Sequence, residues 1–351
     1  TTIAATYRSL LNVGTSANQE LDGTLRVIED GAGNDSVLYL ATDSALIKGD
    51  GVRLYFYDAD GGEHIAADAS GNLTITAGND IVLAVGTAGS VYSSGDGGTN
   101  NTIYGYDAGT ALANGGDYNA FFGYNAGAAI TTGDQNIAIG QGAMQTHTAG
   151  NRNIAIGHNS MVNTDGTDAA DGGAGSSPGT LASSDNIFIG VDAGGGTWAG
   201  SDSAYNIGIG NYALDAAMDD ALYNTGIGHG VLSALTTGDS NTVIGSLAGE
   251  DLNTASSNVL IGKESAKNLT VGSENVIIGD GAAQTTTSVA NTVIIGRGAA
   301  QNGNIATTAA DGTVAVGYKA LEALTSGEKN VAIGFEALKA ENDGDYNVAI
   351  G

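Results

Sequence analysis

The sequence predicts an all-β chain, a parallel β-solenoid with about seventeen residues per coil, and three observations carry that expectation. The phrase NxxIG closes on glycine at positions 105, 123, 140, 157, 190, 210, 228, 245, 262, 279, 296, 317, 334 and 351, and the commonest step is seventeen residues. A fixed period in this range marks a repeat array in which each copy is one structural turn. The phrases are rich in Ile and Val and too short for helices, so they read as strands. Glycine reaches 57 of 351 residues without a Gly-X-Y period, and the apolar content is regular. That composition excludes collagen and argues against disorder.

Within each phrase the columns assign roles. The first is Asn except at Thr292 and Thr313, and stacked Asn side chains can bond one another and the turn backbone. The second is Ile, Val, Thr or Ala and the fourth is mostly Ile, so these alternate positions share a face, expected to be the coil interior. The third column, never polar, is then expected to face outward, and a strand apolar on both faces is covered on both. Another copy of the chain is the economical cover, since cyclic homo-oligomers are common. Ala138, Ala155, Phe188, Val243, Leu260, Ile277, Ile294 and Ala332 become candidates for the seam of a homotrimer.

Beyond the strands, Ala recurs three positions after the motif glycine, followed by Gly, Ala, Leu or Met, a second apolar edge in which Met144 and Met161 read as core fillers. The residue right after the glycine varies freely (Tyr106, Gln141, His158, Lys263, Asp280, Arg297, Phe335) and is expected in solvent. Gly133, Gly150, Gly238, Gly272 and Gly327, in turns such as TTGD and TSGE, are expected at positive φ. Thirteen coil steps of about 4.8 Å make a rod of roughly 60 Å. The phrase breaks off at Gly351, and the array is expected to continue.

Residues 21–99 alternate apolar and polar positions between Gly- and Asp-rich turns and read as a β-rich shaft domain, after an expected attachment segment over 1–20. The solenoid occupies 100–351. It is interrupted where the spacing between Gly157 and Gly190 nearly doubles, giving a polar, acidic insertion over 163–185. Insertions in solenoids map to surface loops, often on a binding face. Asp165, Asp168 and Asp171 in this insertion, and Trp198 in the bulge that follows, are candidate receptor contacts. An exposed Trp could stack on a sugar ring; a buried one would be structural.

The chain carries 38 acidic and 11 basic residues, net charge -27, and Arg152 is the only basic side chain between Arg53 and Lys263. Such a surface repels phosphate backbones, which excludes nucleic acid as a partner. The absence of cysteine removes disulfides and thiolate sites. No apolar run of eighteen residues exists, so no membrane insertion is expected.

The pattern NxAIGxxAL with Gly-containing turns between copies resembles the head repeats of trimeric autotransporter adhesins. It is also similar to repeats in bacteriophage tail fibres and other virion fibres. The resemblance covers about residues 100–351, with a longer period than the adhesin coil. It implies a left-handed β-roll of three chains about one axis. It further implies a structural fibre and host-surface adhesion component of a phage tail fibre or similar virion appendage, virion-borne or extracellular. The implied partners are the chain itself as a homotrimer, other virion or fibre proteins through the N-terminus, and a host cell-surface glycan or protein. The alternatives are a polysaccharide depolymerase tailspike using loop carboxylates, and a bacterial trimeric surface adhesin or extracellular filament.

No motif indicates a catalytic, cofactor or metal site. Asp58–His64 (DADGGEH) partly matches a calcium loop, but Glu63 stands where an EF-hand needs glycine, so an acidic turn is the simpler reading. His158 and His229 share one column but lie on the order of 14 Å apart, too far to share a metal. A hexapeptide acyltransferase would repeat its Ile-Gly motif three times per coil, and this chain repeats it once.

Overall fold

The structure, a computed structural model, describes residues 12–13, 26–29, 35–40, 45–47, 98–112, 115–164, 183–198, 201–303 and 310–351. The chain divides into two compact units, Thr1–Leu83 and Ala84–Gly351. In the first, β1 (Asn12–Val13), β2 (Arg26–Glu29), β3 (Asp35–Leu40) and β4 (Ala45–Ile47) form an antiparallel meander in sequence order, with a register shift between Val27 and Glu29. The candidate calcium loop at 58–64 lies outside the described residues.

The second unit is a β-solenoid. Fourteen three-residue strands, from β5 (Thr102–Tyr104) to β18 (Val348–Ile350), stack in sequence order into one parallel sheet, one strand per coil. Columns align without slippage, as in Ile137↔Ile154, Ala138↔Ala155 and Ile139↔Ile156. Each strand is tied on both sides. The Ile137 N–H donates to the Asn153 carbonyl at 2.8 Å, and the Gly140 N–H donates to the Phe122 carbonyl at 2.8 Å.

The Asn column forms the expected ladder. From Asn119 to Thr292 the backbone N–H of each coil donates to the Asn Oδ1 of the coil before it (Asn258 to Asn241, 3.1 Å; Asn275 to Asn258, 3.1 Å), and the bond recurs from Asn347 to Asn330. The side-chain amide donates to that same oxygen and forward to the next turn, as Asn241 Nδ2 does to the Ala255 carbonyl at 2.8 Å. A second ladder runs the opposite way two residues earlier. Backbone N–H groups of Asp117, Leu222 and Glu328 donate to Asp134, Asp239 and Asp345 Oδ1 in the following coil at 2.8, 2.7 and 3.0 Å. The acid of the TTGD turn is therefore a bonded part of the coil. Opposed ladders leave few buried backbone donors unmet and fix the register.

Each coil closes through left-handed corners. Around Gly140 these are Gln135 (φ 59), Gly140 (φ 133), Gly142 (φ 69) and Met144 (φ 53). The motif glycine is required twice over: Gly123 has φ +136, and a Cβ there would come 2.6 Å from the Gly140 carbonyl oxygen. Of the turn glycines, Gly272 and Gly327 have the expected positive φ, whereas Gly133, Gly150 and Gly238 do not. Their glycine identity follows from crowding instead, since a Cβ on Gly133 would lie 2.5 Å from the Gly150 carbonyl oxygen.

The sheet's inside and outside are the reverse of the sequence expectation. The third column points into the coil: Phe121, Ala138, Ala155, Phe188, Val243, Leu260, Ile277, Ile294, Ala315 and Ala332 are buried within the single chain. The second and fourth columns point outward, as the burial patterns of Ile137–Ile139 and Thr242–Ile244 show. The cause is steric. The coil is thin, and its opposite wall is the segment after the motif glycine, including Ala143, Met144, Leu214 and Leu232. Large residues in the third column face small ones six positions later (Ile103 and Gly109, Phe121 and Gly127, Phe188 and Gly194, Leu260 and Ala266). Small ones face large ones (Ala138 and Met144, Ala155 and Met161, Gly208 and Leu214, Ala332 and Leu338). Contact is direct: a Cβ on Gly127 would sit 2.7 Å from the Phe121 ring and one on Gly194 2.9 Å from the Phe188 ring. Met144 and Met161 are core fillers, as expected.

Candidate interaction surface

The outward side chains of columns two and four build one continuous stripe along the sheet. Isoleucines 139, 209, 227, 244 and 333 are 36–38% exposed in single coils along its length. In the first two coils the fourth column is aromatic, with Tyr104 75% and Phe122 40% exposed. Beside it Tyr106 and Tyr124 stack with ring centroids 5.8 Å apart. Tyr205 and Tyr223, on the column before the Asn ladder, stack at 4.9 Å. Tyrosine thus supplies most of the exposed aromatic surface, a feature the sequence reading missed. The seven residues named after the motif glycine, from Tyr106 to Phe335, are all exposed, as expected.

The eight seam candidates are corrected here. Ala138, Ala155, Phe188, Val243, Leu260, Ile277, Ile294 and Ala332 contact their own coil's opposite wall, so they cannot form an inter-chain seam without unfolding the coil. Trp198 is also corrected: it is fully buried, its ring edge-on to Phe188 with centroids 5.7 Å apart. The indole is enclosed in the coil interior, so it presents no face to a sugar. Asp165, Asp168 and Asp171 lie outside the described residues.

The described rod's Lys and Arg side chains are all paired, while acids remain in excess. Arg152 grips Asp185 with Nε–Oδ1 2.6 Å and Nη2–Oδ2 2.8 Å, which holds the Asp185 carboxyl below its usual range. Lys263, Lys267, Arg297, Lys319, Lys329 and Lys339 each pair with an acid, at 2.7 to 3.4 Å. A shallow polar depression lined by Asp280, Arg297, Gly298, Gln301, Tyr318 and Lys319 is closed in the same way, Arg297 to Asp280 and Lys319 to Glu322. None of the rod's described cations is left over for a phosphate.

His147 is the buried titratable exception. It replaces an apolar residue in the column of Leu112 and Ile130, with Nδ1 2.9 Å from Thr164 Oγ1 and Nε2 3.2 Å from Asn153 Nδ2. Burial pushes its pKa down to about 4, and the ring is neutral. His158 and His229 are exposed, as expected. Among the described residues no three His, Cys, Asp or Glu side chains converge as metal ligands, and no helix is long and apolar enough to cross a membrane.

Comparison with protein-family models, curated proteins and solved structures returns no match.

Proposed function

We propose that this chain is the structural fibre component of a phage tail fibre or similar virion appendage, acting as a stiff spacer that presents repeated contacts to a host surface. The observation that carries the reading is the unbroken sheet of fourteen strands, with an Asn ladder that runs coil to coil from Asn101 to Thr292. Each coil touches only its neighbours, so the array converts sequence length into rigid length. The polar insertion leaves the ladder intact, since the Asn186 N–H still donates to Asn153 Oδ1 at 3.0 Å across it. The rod thus tolerates loop elaboration without losing its axis.

In this reading three copies share a fibre, and the exposed tyrosines at 106, 118 and 124 supply host contacts. Individually weak contacts become useful when repeated around such a fibre. The test is binding to whole bacterial cells and to their purified surface polysaccharide, with reducing ends measured after incubation. Retention on cells with the polysaccharide intact is the expected result. Release of oligosaccharide would replace the spacer with a depolymerase.

A further inference from the structure

We propose that the outward stripe of columns two and four is an interface between copies of this chain, so that the working rod is a bundle sealed along its Ile and Val side chains. The inference rests on the rod architecture behind the spacer reading, and on nothing about virion origin or host.

Three features of the stripe point to this occupant. The first is its composition. None of the twenty-eight positions in the two columns is charged, in a chain that is 14% charged, and Thr102, Thr225, Thr242 and the Tyr104 hydroxyl are its only polar groups. A sheet face that stays in water is ordinarily polar, and a parallel sheet is ordinarily covered on both faces. With net charge -27 per chain, like copies repel, and an uncharged strip is where they can approach.

The second is its period. The apolar side chains recur once per coil, at a strand spacing of about 4.8 Å. A globular protein would meet that row over a few coils and leave the rest wet. Another copy carries the same row with the same period, so it can match at every level. Period irregularities in the sequence do not disturb this. The long step between Gly157 and Gly190 still leaves Ile156 directly opposite Ile189.

The third is its size. Thirteen steps of about 4.8 Å and a width of about 11 Å give a face on the order of 700 Å², close to the roughly 800 Å² each partner contributes to a standard stable interface. The buried third column cannot contribute, because its side chains are consumed within the coil.

The test uses the full chain. Native mass is measured by light scattering after size exclusion, for the wild type and for Ile209→Glu and Ile244→Glu, which place a carboxylate on the outward face of mid-rod coils. The β-rich circular dichroism spectrum monitors folding. The expected result is a wild-type mass that is a multiple of 34.7 kDa and falls to 34.7 kDa in the variants with the spectrum kept. A wild-type mass of 34.7 kDa, or a multiple that both variants retain, overturns the interface. Should a variant lose its spectrum, Ile244→Cys decides instead: the chain has no other cysteine, so oxidation yields linked dimers if the stripe is a seam and none if it is free. A multiple that both variants retain would leave the spacer reading standing with its seam elsewhere, whereas a wild-type monomer would also remove that reading's three-copy fibre.

Discussion

Exchanging residue sizes across one coil tests the packing logic of the whole solenoid. Ala138 faces Met144 in one coil, while in the preceding coil Phe121 faces Gly127, and all four are fully buried or nearly so. Met144→Gly empties a fully buried site, a loss of about 2–5 kcal/mol for such truncations. About 1 kcal/mol of that is offset because Met144 sits at φ 53, where glycine carries no Cβ penalty. Ala138→Phe forces a ring against Met144 and costs roughly 1–3 kcal/mol or more. The double variant reproduces the Phe121–Gly127 arrangement and is expected within about 1.5 kcal/mol of wild type. The double-mutant cycle, read by urea unfolding at one protein concentration, should therefore give a favourable coupling of about 3 kcal/mol at the midpoints of these ranges. Additivity within about 0.5 kcal/mol would mean that the two side chains do not meet inside the coil, and the inward assignment of the third column would be wrong.

Three further outcomes are expected. Protonation of His147 sets a pH window: its pKa is about 4 folded against an ordinary 6.5, so the unfolded chain binds the proton first. Stability is complete above 6.5 and falls by about 3 kcal/mol as pH drops towards 4. His147→Leu should flatten this part of the melting-temperature profile, and identical profiles for the two proteins would contradict it. Asn258→Ala should cost about 2–5 kcal/mol, since it strands the buried Asn275 amide and its N–H, which donate to Asn258 Oδ1 at 2.9 and 3.1 Å. Asn258→Thr should cost less, because Thr292 in the same column still donates to Asn275 Oδ1 at 2.7 Å; equal losses in denaturant midpoint would refute the ladder's role. Gly123→Ala should lower the thermal midpoint far more than Gly142→Ala. The first meets backbone carbonyl at φ +136, whereas the second, at φ +69, meets the movable Asn159 side chain.

The period, the strands, the Asn ladder and the solvent column after the motif glycine were legible because each repeats identically and each has one physical solution. The inward face was not, because a strand apolar on both sides offers no polar residue to mark the water side. A signal did exist: the third column and the residue six positions on alternate in size along the chain, as in Phe188 with Gly194 and Gly208 with Leu214. Only partners across a shared interior compensate volume in this way. Trp198 was misplaced for a related reason. The glycines beside it read as a bulge, and nothing local marks that the indole turns inward against Phe188. The role of the acid in the TTGD turn was not legible, because it accepts from a backbone N–H in another coil, which local sequence does not display.

The most direct measurement is a cryo-electron microscopy density of the full chain resolved to side chains across one coil. The account predicts Ala155 and Phe188 enclosed within their own chain, with Ile154, Ile156 and Ile189 pressed against a neighbouring copy. Density with the Ala155 and Phe188 column at the boundary between chains, and the isoleucines enclosed, would contradict it.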